Sequence, residues 1–241
     1  MGEPWAAAIL AAVTMSVGAA DLADREASAK ARERARAAQV VAPPAADPAA
    51  PCRVASFAHG PSRSLGLPNR GRLTGGAVLP EETDAQFTFD LTTGLTPNPS
   101  WRRVGARRMV SLLGCVSTSF AAAHPEAERI GVADISRPFG GRFGRRYGGL
   151  GHSSHQNGLD VDVVYPRRDL CECPPDTPDD IDPALAQDLV DRFVRAGVQY
   201  VFVSPTLYRA GRLRGPRGVV IPLAHHEDHI HVRIYDYDPR P

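Results

Sequence analysis

The stretch "GHSSHQNGLDVD", residues 151–162, sets His152 and His155 three apart, with Asp162 seven residues beyond the second. A second group, "HHEDHIH" at 225–231, contains His226, His229 and His231. Two neutral imidazoles, one carboxylate and an open fourth position form the ligand set of a catalytic zinc. Such an ion acidifies a water and polarises the bond under attack, so no nucleophilic serine or cysteine is required. Six of the eight histidines fall in these two short segments. That concentration favours a metal site over two solvated strand edges.

The elements that carry these residues must bring them together. "LDVDVVY", 159–165, alternates strictly, so Asp160 and Asp162 share one face of a strand and Leu159, Val161 and Val163 the other. The same arithmetic on "HIHVRIY", 229–235, places His229 and His231 opposite Ile230 and Val232. If the two strands are neighbours, His231 and Asp162 converge, and His155 arrives from the turn before the first strand. His229 is then placed to carry a proton or to stabilise a developing oxyanion, with His226 alongside it. Glu227 or Asp228 would orient a ring by hydrogen bonding. Asp160 lies on the same face with no evident task.

The rest of the chain supplies the frame. "SWRRVGARRMVSLLGCVSTSFAAAH", 100–124, has apolar residues at helical spacing and Ser100 as its expected N-cap. "DPALAQDLVDRFVRAG" reads as a helix with Asp182 as cap, Pro183 at its first position and Gly197 just past its end. "QFTFDLTT", "RIGVADIS" and "VQYVFVS" read as strands, and "RPFGGRFGRRYGGLG" as a glycine-rich loop. The expected fold is α+β: a small antiparallel or mixed sheet carrying the metal site, with helices packed on one face. Asp176, Asp179, Asp180 and Asp182 lack the spacing of a calcium loop, and turn chemistry and helix capping explain them.

At 241 residues with a formal net charge of +1, the chain has no general pull on nucleic acid. Residues 5–20 are uncharged and apolar and end in small residues, so 1–20 reads as a signal peptide or signal anchor. An alanine-, arginine- and proline-rich linker follows over 21–51, and the folded domain is expected over 52–241. Membrane contact is expected only through that N-terminal segment. Four cysteines, Cys52, Cys115, Cys171 and Cys173, suit two disulfides in an exported chain. Cys171 and Cys173 flank a single residue, a spacing that reads as too tight for a mutual bridge, so each is expected to reach a distant partner.

"GGRF", "GHSSHQNGLDVDV" and "HEDHIHVRI" together resemble the penicillin-insensitive murein endopeptidases, a branch of the zinc peptidases related to lysostaphin and the D-alanyl-D-alanine peptidases. The likeness extends over most of 53–238, including "ASFAHG" and "RIGVADISRPFGGRF". It implies zinc on His155, Asp162 and His231, His152 close to the metal, and catalytic or substrate-polarising roles for His229 and His226. It also implies action in the periplasm or cell envelope on the D-alanyl to diaminopimelyl cross-links of peptidoglycan, whose peptide stems would be the partner. The family carries a further Asp and His before the second helix, whereas "RRDLCECPPDTPDDID" has no histidine, so no auxiliary ligand is carried over. The chain's one lysine, Lys30, has Ala27 where a serine–lysine peptidase needs its serine. Arg137, Arg142, Arg145 and Arg146 in the glycine-rich loop are placed to hold stem carboxylates or simply to solvate that loop. Two rival functions remain: a zinc D,D-carboxypeptidase, and a non-catalytic zinc-binding domain that recognises the wall.

Overall fold

Alternating strands need one apolar layer to lie on, and the two long helices provide it. The computed structural model describes residues 52–144 and 152–236. The segments read as signal or anchor and as linker lie outside the described residues, as do Arg145 and Arg146. A two-residue-turn hairpin comes first, β1 (Arg63–Leu67) with β2 (Arg70–Thr74). A second small sheet pairs β3 (Ala77–Val78) with β5 (Val104–Gly105).

Among the described residues the main sheet has six strands: β4 (Gln86–Thr88), β6 (Ile130–Val132), β7 (Asp160–Val164), β8 (Tyr200–Val203), β9 (Val220–Pro222) and β10 (His229–Arg233). Their order across the sheet is β4-β6-β7-β10-β8-β9. The pairs β4/β6 and β8/β9 are parallel and the three central pairs antiparallel. The sheet is therefore mixed, and β7 and β10 occupy its middle.

Helix α1 spans Arg107–Ala123 and α2 spans Pro183–Ala196; a short α3 covers Pro205–Arg209. The long helices pack on each other, α1 also against β4 and β6, and α2 against β8. Met109, Leu112, Leu113, Val116 and Phe120 of α1 meet Leu189, Val190 and Phe193 of α2 in one core with Val161, Val163, Ile230 and Val232. Each such side chain contributes roughly 1.5–3 kcal/mol by leaving water.

The α2 boundaries follow the sequence signals. Asp182 accepts hydrogen bonds from the backbone N–H of Ala184 and Leu185, and Gly197 adopts φ 80°. Helix α1 does not: Ser100 starts a single 3-10 turn, Ser100–Arg102, and the α-helix begins only at Arg107. The reason is competition from tertiary pairing, because Val104 is drawn into β5 and the Ala106 N–H donates to the Gly158 carbonyl. The strand expected over 86–93 likewise shortens to Gln86–Thr88, since the Asp90 carboxylate accepts from the N–H groups of Thr92 and Thr93 and turns the chain.

The cysteine expectation is corrected in part. Cys52 bridges Cys115, a distant partner, but Cys171 bridges Cys173. The backbone turns sharply between them, with the Cys173 N–H donating to the Cys171 carbonyl, and the two Cα atoms stand 5.2 Å apart. That separation is ordinary for a disulfide.

Candidate metal centre

Strand register builds the centre. His231 lies directly opposite Asp162 in the antiparallel β7/β10 pair, and His229 opposite Val164. Alternation then turns Asp160, Asp162, His229 and His231 away from the apolar core, as expected. His155 enters from the loop before β7 with φ 64°, a left-handed conformation that a non-glycine residue holds only where its surroundings fix it. They do: the neighbouring Gln156 N–H donates to the Pro68 carbonyl of the β1–β2 turn, and the Gln156 carbonyl accepts from Gly141.

Three donor atoms form a compact triangle. His155 Nε2 is 3.3 Å from Asp162 Oδ1 and 3.3 Å from His231 Nδ1, and His231 Nδ1 is 3.1 Å from Asp162 Oδ1. An ion bound tetrahedrally by nitrogen and oxygen at about 2.0–2.1 Å sets its ligands roughly 3.3 Å apart. His152 stands beside the triangle, its Nδ1 3.5 Å from Asp162 Oδ2. His152, His155 and Asp162 together offer ligand atoms all within 4.8 Å of one another, a group that could hold a metal ion. Among the described residues neither buried oxygen of the Asp162 carboxylate has a hydrogen-bond donor, which is costly for a carboxylate unless a cation faces it. The residues present therefore fit a metal.

Each imidazole is fixed by an oxygen on its outer nitrogen. His155 Nδ1 is 2.9 Å from the Ile135 carbonyl, His231 Nε2 is 2.7 Å from Asp160 Oδ1, and His152 Nε2 is 2.6 Å from Asp134 Oδ2. A carbonyl or carboxylate oxygen only accepts, so the outer nitrogen carries the proton and the inner one presents a lone pair. Asp160 acquires its task here, and it also accepts from Arg233 Nε at 2.6 Å.

Asp134 was missed from the sequence, although it lies within the quoted "RIGVADIS". It is buried and accepts from Arg102 Nε and Nη2 and from Asn98 Nδ2. Burial alone would raise its carboxyl; His152 and Arg102 outweigh that and hold it below the usual carboxylate range. Arg102 had no legible signal among so many arginines.

His229 Nδ1 lies 2.7 Å from Asp228 Oδ1, and its Nε2 points inward, 3.5 Å from Asp162 Oδ1. Asp228 is thus the ring-orienting carboxylate, whereas Glu227 accepts from the hydroxyls of Ser204 and Thr206. Burial opposes a charge on His229, but Asp162 and Asp228 prevail and raise its pKa. His226 stacks near it, ring centroids 4.9 Å apart, and gives its Nδ1–H to the Ala224 carbonyl. Burial, then the neighbouring His229, pushes His226 down to about 4, so it stays neutral near pH 7.

A cleft of about 800 Å³, lined among others by Phe89, Leu91, Pro174, His225 and Asp228, meets the histidines of the centre only through Asp228, whose carboxylate faces His229 Nδ1. Arg137 donates to the Arg142 carbonyl at the loop across from β2. The acidic run before α2 does turn and cap work: Asp180 accepts from Thr177, and Asp182 caps the helix.

Residues 64–177 match the family described as penicillin-insensitive murein endopeptidase, which supports the resemblance carried by the motifs. The matched segment contains Asp134, His152, His155, Asp160 and Asp162; His226, His229 and His231 follow it. No curated protein matches the chain. The family is one of hydrolases acting on peptidoglycan. Among the described residues no helix is long and apolar enough to cross a membrane.

Proposed function

We propose, from the murein endopeptidase signature of residues 64–177, that the chain is a zinc-dependent endopeptidase cleaving D-alanyl to diaminopimelyl cross-links. The observation that carries the reading is the triangle of His155 Nε2, His231 Nδ1 and Asp162 Oδ1 around an otherwise donorless buried carboxylate. His155, Asp162 and His231 would hold the ion, with His152 adjacent and available as a further ligand. When bound, zinc acidifies a water and polarises the scissile carbonyl.

The chain's own groups do the rest. His229, kept basic by Asp228 and Asp162, carries a proton or donates from Nε2 to the oxygen on which charge develops. His226, neutral and with its Nδ1–H already committed, offers Nε2 as an acceptor for a substrate N–H or water. The neighbouring cleft receives the peptide. The two disulfides suit an oxidising compartment, which supports export to the periplasm or envelope through residues 1–20, with 21–51 as linker and 52–241 as the peptidase domain.

The test is digestion of purified peptidoglycan by residues 52–241 in the context of the full chain, with and without chelator, followed by mass analysis. Loss of cross-linked dimers that chelation abolishes and zinc restores is expected. Release of free D-alanine alone would make it a carboxypeptidase, and no chelator-sensitive change would leave a wall-binding domain.

A further inference from the structure

One face of the β1–β2 hairpin has no role in the centre just described, yet its chemistry is distinctive. The register pairs Arg63 with Thr74, Leu65 with Arg72 and Leu67 with Arg70. Cross-strand partners and alternate residues share a face, so three arginines and two leucines lie together over about 13 Å of ribbon. All five are exposed, Leu65 by 50% and Leu67 by 57%. Residues 61–80 contain no Asp or Glu, and none of the three guanidinium groups pairs with a carboxylate among the described residues.

The opposite face of the same ribbon backs the candidate centre. The Pro68 carbonyl accepts from the Gln156 N–H at 2.9 Å, and the Gly66 carbonyl accepts from Asn157 Nδ2 at 3.3 Å. A Cβ on Gly71 would come within 2.8 Å of Asn157 Cβ, so glycine is what lets the hairpin lie this close to the loop carrying His155. The exposed face is therefore one layer of chain from the centre.

We propose that this face is an exosite that holds the carboxylate-bearing peptide stems of peptidoglycan next to the stem being cut, an inference that rests on the murein reading above. Arginine forks match carboxylates bidentately, and the leucines between them offer apolar contact to alanyl methyl groups. A stem presents both chemistries within a few residues. The formal net charge of only +1 makes this a local match rather than a general attraction for polyanions. Two leucines are too small an apolar footing to favour a lipid bilayer over the stems. On a polymer, a second contact raises the effective concentration of substrate at the cutting site without touching the chemistry.

The experiment compares the full chain with two variants, Arg63→Gln/Arg70→Gln/Arg72→Gln and Leu65→Ser/Leu67→Ser. The readouts are pelleting with purified sacculi, digestion of sacculi, and kcat/KM on a soluble cross-linked stem dimer. The arginine variant is expected to bind sacculi about tenfold or more weakly and digest them correspondingly slowly, with kcat/KM on the dimer unchanged. The leucine variant is expected to show a smaller loss of the same kind. Wild-type pelleting by the arginine variant would overturn the proposal, and so would an equal loss on the soluble dimer. Arginine-dependent capture by phosphatidylglycerol vesicles with sacculus binding intact would instead assign the face to lipid. A wild-type chain inert on both substrates would sink the endopeptidase reading, while pelleting, which needs no turnover, would still decide the exosite.

Discussion

Asp160 and Asp162 stand two residues apart on one strand and address the same ring from opposite sides: His231 Nε2 meets Asp160 Oδ1 at 2.7 Å, and His231 Nδ1 meets Asp162 Oδ1 at 3.1 Å. One carboxylate fixes the tautomer and the other shares the inner nitrogen's side. The pair also shows why removing either should have a different consequence.

Asp160→Asn leaves all candidate ligands in place but loses the charged acceptor that orients His231. Metal affinity should fall by about 10–100-fold, the usual cost of losing such a partner. Competition with a coloured chelator measures it. Affinity equal to wild type would mean that Asp160 serves only Arg233.

His155→Ala and His229→Ala separate holding the ion from using it. The first should lose bound metal and hydrolysis together. The second should keep stoichiometric metal by elemental analysis while turnover drops about 10²–10⁴-fold. A His229→Ala enzyme of normal rate would remove His229 from the mechanism.

Far from the centre, Asp188 ties the helices, with Oδ2 2.9 Å from His124 Nε2 and 2.7 Å from Arg192 Nε. Burial works to raise its carboxyl, but His124 and Arg192 outweigh this and lower it from 3.8. A carboxyl depressed in the folded state stabilises above its unfolded pKa, and that stability is lost as pH falls through the folded value. Asp188→Asn should cost about 1 kcal/mol at pH 7. Urea melts should show the gap closing below about pH 4; a gap undiminished at pH 3 would contradict the assignment.

The two disulfides differ in the chain they constrain. Cys52–Cys115 spans 63 residues and Cys171–Cys173 only 2. On loop entropy, Cys52→Ser/Cys115→Ser should cost up to about 4 kcal/mol, and Cys171→Ser/Cys173→Ser far less. Thermal melts of both variants decide it, and equal losses would show that chain entropy is not the main effect.

Sequence by itself determined what depends on near neighbours. Alternation sorted Asp160, Asp162, His229 and His231 onto one face, and the Asp182–Pro183 and Gly197 signals bounded α2, because strand period and helix capping are local physics. It paired Asp162 with His231 only conditionally, since nothing local says which strands adjoin. The tertiary structure decided that adjacency, brought His155 in through a left-handed turn pinned under the β1–β2 hairpin, and set Asp134 behind His152. It also overrode local preference twice: β-pairing of Val104 delayed α1 to Arg107, and a tight turn brought Cys171 to Cys173. Each of these rests on contacts between segments distant in the chain or on a turn whose backbone geometry residue spacing does not reveal, so composition and periodicity were silent about them.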